Sequence, residues 1–245
     1  MRVWDIDPGY LNRQSLLGEH RELHGIVSVI RHGKRGYARH PETLRWNRHG
    51  WALWMRHRQL ACEMALRGYR ERSPVPLRSN PNVWPGDYID PPDRQFTLLG
   101  EKYRDRPGGR IPLPGDPQQL WRQHKYSVLS RDPGLYRSIG RAVSAGELEF
   151  ARLAQLLTEQ LRRRPAPGGI RNAVQHMWGY VSIPPPEGRP GIGRWSTQRL
   201  LGETQRRAIA GEVAYLTEST ALGELMAWLP VQRRCASRCS VLSDG

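Results

Sequence analysis

The sequence predicts a mainly α-helical protein, and three observations carry that expectation. Apolar residues recur at helical spacing far more clearly than at strand spacing. Aspartate followed by proline stands where two of the periodic segments begin, at Asp7-Pro8 and Asp116-Pro117, a pairing suited to a cap and first turn. Paired glycines, Gly33 and Gly36, close the first segment.

Taken in order, Asp7-Pro8 opens a helix in which Leu11, Leu16, Leu23, Ile26, Val27 and Ile30 share a buried face. A second helix is expected from near Pro41 to Gly68, interrupted near Gly50, with Leu44, Trp51, Trp54, Leu60 and Met64 inward. From Ser73 to Pro117 prolines and glycines are frequent and periodicity is absent, so an irregular segment is expected. After Asp116-Pro117 a new helical region begins with Leu120, Trp121, Tyr126, Val128 and Leu129, followed by helices near 147–164, 170–181, 196–217 and 219–229. The expected organisation is one helical domain over 1–112, a second over 116–230 and a flexible tail over 231–245, with no solenoid repeat.

A chain of 245 residues can build a core without staples. Its 38 Lys+Arg against 23 Asp+Glu leave a formal charge of +15, shared by both halves, which favours a polyanionic partner, nucleic acid first. The bland alternative is an arginine-biased surface, since Lys34, Lys102 and Lys125 are the only lysines. Three cysteines, no apolar leader and no bilayer-length run point to a reducing cytoplasm, on the nucleoid if the source is bacterial, with no disulfide framework and no membrane partner. Cys235 and Cys239 read as free thiols in a polar tail.

The chain terminus is a candidate nucleophile. An α-amino group titrates near 7.7 to 8.0 in model compounds against roughly 10.4 for lysine, so it is the more readily unprotonated amine. Arg2 is too bulky for ordinary removal of the methionine, so Met1 itself is expected to carry that amine. His20 and His24 stand at i and i+4 and can bind zinc, but no third ligand is evident and Glu22 sits one place later than in H-E-x-x-H, so neither a metal nor a cofactor is expected. There is no P-loop or dinucleotide fingerprint. Trp46, Trp51 and Trp54 can stack on bases, but their helical spacing favours core packing, and His176 is expected to be a packed structural residue.

Several strings occur together in order: Met1-Arg2, then Glu19, Arg21, Glu22 and Leu23 as E-x-R-E-L, Gly33-Lys34-Arg35, the run from Arg56 to Gly68, Gly86-Asp87-Tyr88-Ile89, Leu99-Gly100-Glu101-Lys102 and Arg106-Pro107. In these the chain resembles the phage-type pyrimidine-dimer DNA glycosylases known as endonuclease V and their bacterial relatives, over roughly residues 1–107. The resemblance implies a helical DNA-repair glycosylase with AP-lyase activity, in which Met1 supplies the amine for a Schiff base and Glu22 is the acid/base partner. Double-stranded DNA carrying a pyrimidine dimer or abasic site is the implied partner. Arg2 and Arg21 would grip phosphates with guanidinium forks, and Lys34, Arg35, Arg56, Arg58 and Lys102 would extend the track. Gly25 replaces an arginine of the phage-type enzymes, and no aromatic-rich tail follows Pro107.

The second half, through Leu120–Leu129, Tyr136–Arg141 and Asn172–Tyr180, resembles the YbgA-type domain of uncharacterised function. Its protein partner is unknown. Two other readings stay open, a noncatalytic nucleic-acid-binding helical protein and an interaction module whose second half recruits a factor. For the enzyme, the terminus must reach Glu22 along the first helix; a lead of six residues spans about 20 Å when extended, which makes contact feasible without demanding it.

Overall fold

A computed structural model describes residues 1–182 and 191–230, and among these the fold is helical with no strand. The tail expected over 231–245, with Cys235 and Cys239, lies outside the described residues.

Asp7-Pro8 does form a cap and first turn, but of a single 3-10 turn, Pro8–Tyr10, with the Asp7 carboxylate accepting from Gly9 N at 2.8 Å. Extended backbone at Leu11 stops that turn, and α1 (Arg13–His32) starts afresh under Asn12, whose side chain accepts from Ser15 N at 2.9 Å. Gly33, at φ 58°, closes α1 in the left-handed region where glycine carries no Cβ penalty. The expected second helix is two: α2 (Pro41–Trp46) and α3 (Gly50–Leu66), divided where Arg48 takes a positive φ. This division corrects Leu44, expected inward but 57% exposed, because the short α2 turns Thr43 and Trp46 toward the core instead.

The segment expected to be irregular contains α4 (Pro92–Lys102), whose buried residues are Pro92, Gln95, Phe96 and Leu99. So few apolar positions leave no readable period. Beyond it come α5 (Pro117–Leu129), α6 (Pro133–Ser144), α7 (Phe150–Arg162), α8 (Gly169–Trp178), α9 (Thr197–Ala210), α10 (Ala214–Thr217) and α11 (Ala221–Trp228). Asp116 and Asp132 cap α5 and α6 through Gln119 N at 2.7 Å and Leu135 N at 2.9 Å. The helix expected over 196–217 breaks into α9 and α10 at Gly211-Glu212, where Glu212 has a positive φ. His176 is exposed, which corrects its expected packed role: α8 buries Ala173, Val174 and Met177 and turns the histidine outward.

The core sits around α3, which packs against both α1 and α11. One hydrophobic cluster joins Leu16, Leu23, Ile26, Trp46, Leu53, Leu60 and Leu99 to Leu120, Val128, Leu153, Leu157 and Ala227, crossing the 112–116 region. A second gathers Leu129, Val174, Met177, Leu200, Leu201, Leu222 and Leu225 between α5, α8, α9 and α11. Polar ties also span the halves. Tyr10 Oη donates to Gln123 Oε1 at 2.8 Å, and Arg110, which clasps Glu63 at 2.6 Å, also donates to Ser219 O at 3.3 Å. Within the second half Arg131 meets Glu224 at 3.0 Å, a fully interior pair.

Candidate active site at the chain terminus

Residues 1–6 run alongside α1 as a non-helical strap, pinned at nearly every residue. The Asp5 carboxylate receives Arg45 from α2, Arg162 from α7 at 2.6 Å and the Gln95 amide at 2.9 Å, while Asp5 N donates back to Gln95 Oε1 at 2.8 Å. Val3 N donates to Glu42 Oε1 at 3.0 Å, and Glu42 in turn takes Trp46 Nε1 at 3.1 Å and Arg45 Nη1 at 3.3 Å. Burial pushes the Glu42 carboxyl above its ordinary range, against the opposing pull of the Val3 amide and Arg45. Arg2 bonds Asp90 at 2.6 Å and lies over the Trp4 ring at 4.2 Å.

These anchors bring Met1 to α1. Arg2 N donates directly to Glu22 Oε2, so the Glu22 carboxylate caps the strap one residue from its amine. From covalent geometry the Met1 nitrogen then lies within roughly 6 Å of that oxygen. The Met1 sulfur would sit 3.9 Å from a Cβ built on Gly25, so the thioether occupies space beside α1 that the glycine leaves open. Gly25, the departure noted in the sequence, is thus in van der Waals reach of the Met1 side chain.

A third group meets the amine that sequence reasoning missed. His40 Nε2 lies 3.4 Å from Met1 N, while His40 Nδ1 accepts from Glu42 N at 3.2 Å in capping α2. Accepting at Nδ1 leaves the neutral ring's proton on Nε2, facing the amine. Before His40 runs the loop 33–39, with Lys34, Arg35 and Arg39 exposed or nearly so and Tyr37 69% exposed in a left-handed conformation. Cations interleaved with an exposed aromatic are the side chains that hold backbone phosphates and stack on bases. The run Gly33-Lys34-Arg35-Gly36-Tyr37 was the available signal, but only the fold places it beside the terminus.

The remaining cations divide. Arg21 is exposed on α1 and lines an open cleft with Arg13, Leu17 and Arg106. Lys102 is exposed at the end of α4. Arg56 is corrected: it is 2% exposed, with a fork on Glu19 at 2.7 and 3.1 Å and Nη1 on Ile6 O at 2.8 Å, so it holds α3 to α1 and the strap rather than meeting phosphate. Arg58 is corrected as well. It reaches Leu229 O at 2.6 Å and lies over Trp54, tying α3 to the end of α11. Trp46 and Trp51 are buried, as their spacing indicated.

This geometry coincides with a family signal. Residues 1–77 match the family model for pyrimidine dimer DNA glycosylases. The matched stretch contains Met1, Glu22 and His40 together. Residues 125–184 match the model of a protein family of unknown function, DUF1722. The chain therefore joins a glycosylase-type N-terminal segment, a DNA-repair class whose substrate is DNA, to a YbgA-type segment. No curated protein and no solved structure matches it. No helix among the described residues is long and apolar enough to cross a membrane.

Proposed function

We propose that the chain is a DNA glycosylase with AP-lyase activity, acting on duplex DNA that carries a pyrimidine dimer or an abasic site through the amine of Met1. The observation that carries this reading is the hydrogen bond from Arg2 N to Glu22, which holds the terminal amine and a helical carboxylate on the same side of α1.

The unprotonated amine, freed from His40, attacks C1′ as the C1′–base bond breaks and the base leaves with the electron pair. The ammonium thus formed gives its proton to Glu22, which passes it to O4′ as the C1′–O4′ bond opens and the iminium forms. Loss of a C2′ proton then expels the 3′ phosphate by β-elimination. The Glu22 carboxylate also stabilises positive character developing at C1′. Lys34, Arg35, Arg21 and Lys102 serve as phosphate contacts, and Arg2, with Asp90 and Trp4, fixes the strap. The target sugar lies within a stacked duplex, so kinking or extrusion is required, and a dimer or abasic site lowers its cost because stacking is already disturbed.

Borohydride trapping of the full chain on ultraviolet-damaged and abasic duplexes tests this. A covalent adduct that maps to Met1 is expected on both. An adduct on abasic DNA alone reduces the activity to a lyase; salt-sensitive binding with no adduct identifies a noncatalytic binder and overturns the proposal.

A further inference from the structure

α1 carries His20 and His24 one turn apart, and the fold supplies the partners that the sequence does not show beside them. His57 of α3 and Glu71, from the segment after α3, meet the pair so that one ligand atom from each of the four residues lies within 4.8 Å of the others. Glu71 Oε1 stands 3.7 Å from His20 Nε2 and 3.6 Å from His57 Nε2. The three imidazole rings form a triangle with centroids 4.7, 4.9 and 5.1 Å apart.

The polar bookkeeping of this cluster does not close with protein atoms alone. The Nε2 atoms of His20, His24 and His57 are all buried and lack a hydrogen-bond partner. Buried polar groups are almost always satisfied, so three orphaned nitrogens converging on one carboxylate call for a common partner. A hydrogen bond could satisfy one of them; a cation satisfies all three.

We propose that His20, His24, His57 and Glu71 form a closed four-coordinate site for a divalent first-row transition-metal ion, with zinc the ion best suited to three imidazoles and one carboxylate. Calcium and magnesium want an all-oxygen shell, which this cluster does not offer. Bonds of about 2.0–2.1 Å to a tetrahedral ion put neighbouring donors about 3.3 Å apart. The two closest carboxylate-to-imidazole separations, 3.6 and 3.7 Å, exceed that by a few tenths of an ångström, and the other donors lie within 4.8 Å of one another, so side-chain rotation draws the four onto one ion.

The site's place on the helix defines its role. At 3.6 residues per turn His20 and His24 project from α1 on roughly the opposite side from Glu22. The ion would therefore clamp α1 to α3 and to the Glu71 segment from behind, setting the rotation of α1 that aims Glu22 at the strap. It is a structural centre, separate from the amine chemistry. His57 and Glu71 are only 5% and 16% exposed at their side chains, which fits a closed shell.

The test uses tag-free full-length chain stripped of metal and titrated with zinc, with cobalt(II) as a spectroscopic probe. One zinc per chain, intense tetrahedral cobalt bands and a Tm raised by about 5–10 °C at zinc near 100 times Kd are expected. His57→Asn should weaken zinc binding by at least about 100-fold, more than the 10–100-fold typical of losing a supporting residue around a metal. Because His57 is interior and its variant can misfold, Glu71→Gln, in the segment beyond α3, provides a second measure and should weaken binding at least about 10-fold. Failure of the wild-type chain to take up zinc overturns the proposal, as does uptake that Glu71→Gln leaves unchanged, the signature of adventitious surface binding. The readout needs no DNA, so it stands or falls apart from the glycosylase reading.

Discussion

Replacing Glu22 by Gln isolates the charge at the terminus from its geometry. The amide oxygen of glutamine can still accept from Arg2 N, so the strap stays in place while the negative charge disappears. With the amine within roughly 6 Å of Glu22, a unit positive charge developing near 5 Å in a medium of effective dielectric about 20 interacts with the carboxylate by about 3 kcal/mol. That corresponds to about a 10²-fold slower chemical step at unchanged temperature. Glu22 is half-buried, so partial solvent screening would pull the figure toward about 10-fold. The assay is single-turnover strand scission of an abasic duplex, with borohydride trapping of the same time points. DNA affinity should change little, because the loss belongs to the transition state. A Glu22→Gln chain that cleaves as fast as wild type, with the adduct still on Met1, would refute the assignment of the carboxylate.

Three further outcomes follow from the packing and the charge. Lys34→Ala with Arg35→Ala should flatten the dependence of log binding constant on log salt by about two, from a loss of about 0.9 per phosphate contact, measured by anisotropy titration at several salt concentrations. Arg131→Met should strand Glu224 in the interior with, among the described residues, only Trp228 Nε1, at 3.1 Å, as a side-chain partner. Breaking such a pair costs about 3–5 kcal/mol, a Tm drop of roughly 6–20 °C in a chain of this size, and an unchanged Tm would show that the pair holds nothing together. The third concerns acid. Burial holds His124 down to about 3 from 6.5, so the unfolded chain takes up that proton first and native stability falls as pH drops from about 6.5 toward 3. Asp7, which burial raises to about 7, has the opposite sign, since the folded chain takes up its proton first as pH falls. The check is therefore a difference: His124→Gln should lose less stability than wild type between pH 7 and 4.5, by about 2–3 kcal/mol, in paired denaturant titrations.

Local rules were legible because they act over a few residues. Asp116, Pro117 and Gly33 each settle a helix end through a bond or a φ angle within four residues, and the apolar face of α1 repeats often enough to be read. Where the period was short the reading failed. α4 buries only four residues and went unseen, and although the break before Gly50 was legible, the six-residue α2 is too short to show its own face and Leu44 was sent to the wrong side. The positive charge was equally plain, but charge at one position does not say where its side chain goes. Arg56 and Arg58 look like any surface arginine on a basic helix until Glu19 and the carbonyl of Leu229 claim them.

By itself the sequence determined the helical class, the basic character, the candidacy of a terminal amine and the histidine pair on α1, because each is a property of residue type and near neighbours; Glu22 became a candidate only through the resemblance to the glycosylase family. Only the tertiary structure decided what stands beside what. It set Arg2 N on Glu22 and His40 on the Met1 amine, and brought His57 and Glu71 to His20 and His24. The physical reason is that these partners are separated by 20 to 51 residues, distances over which no periodicity or cap carries information and only the packing of α1 against α2, α3 and the strap selects a neighbour.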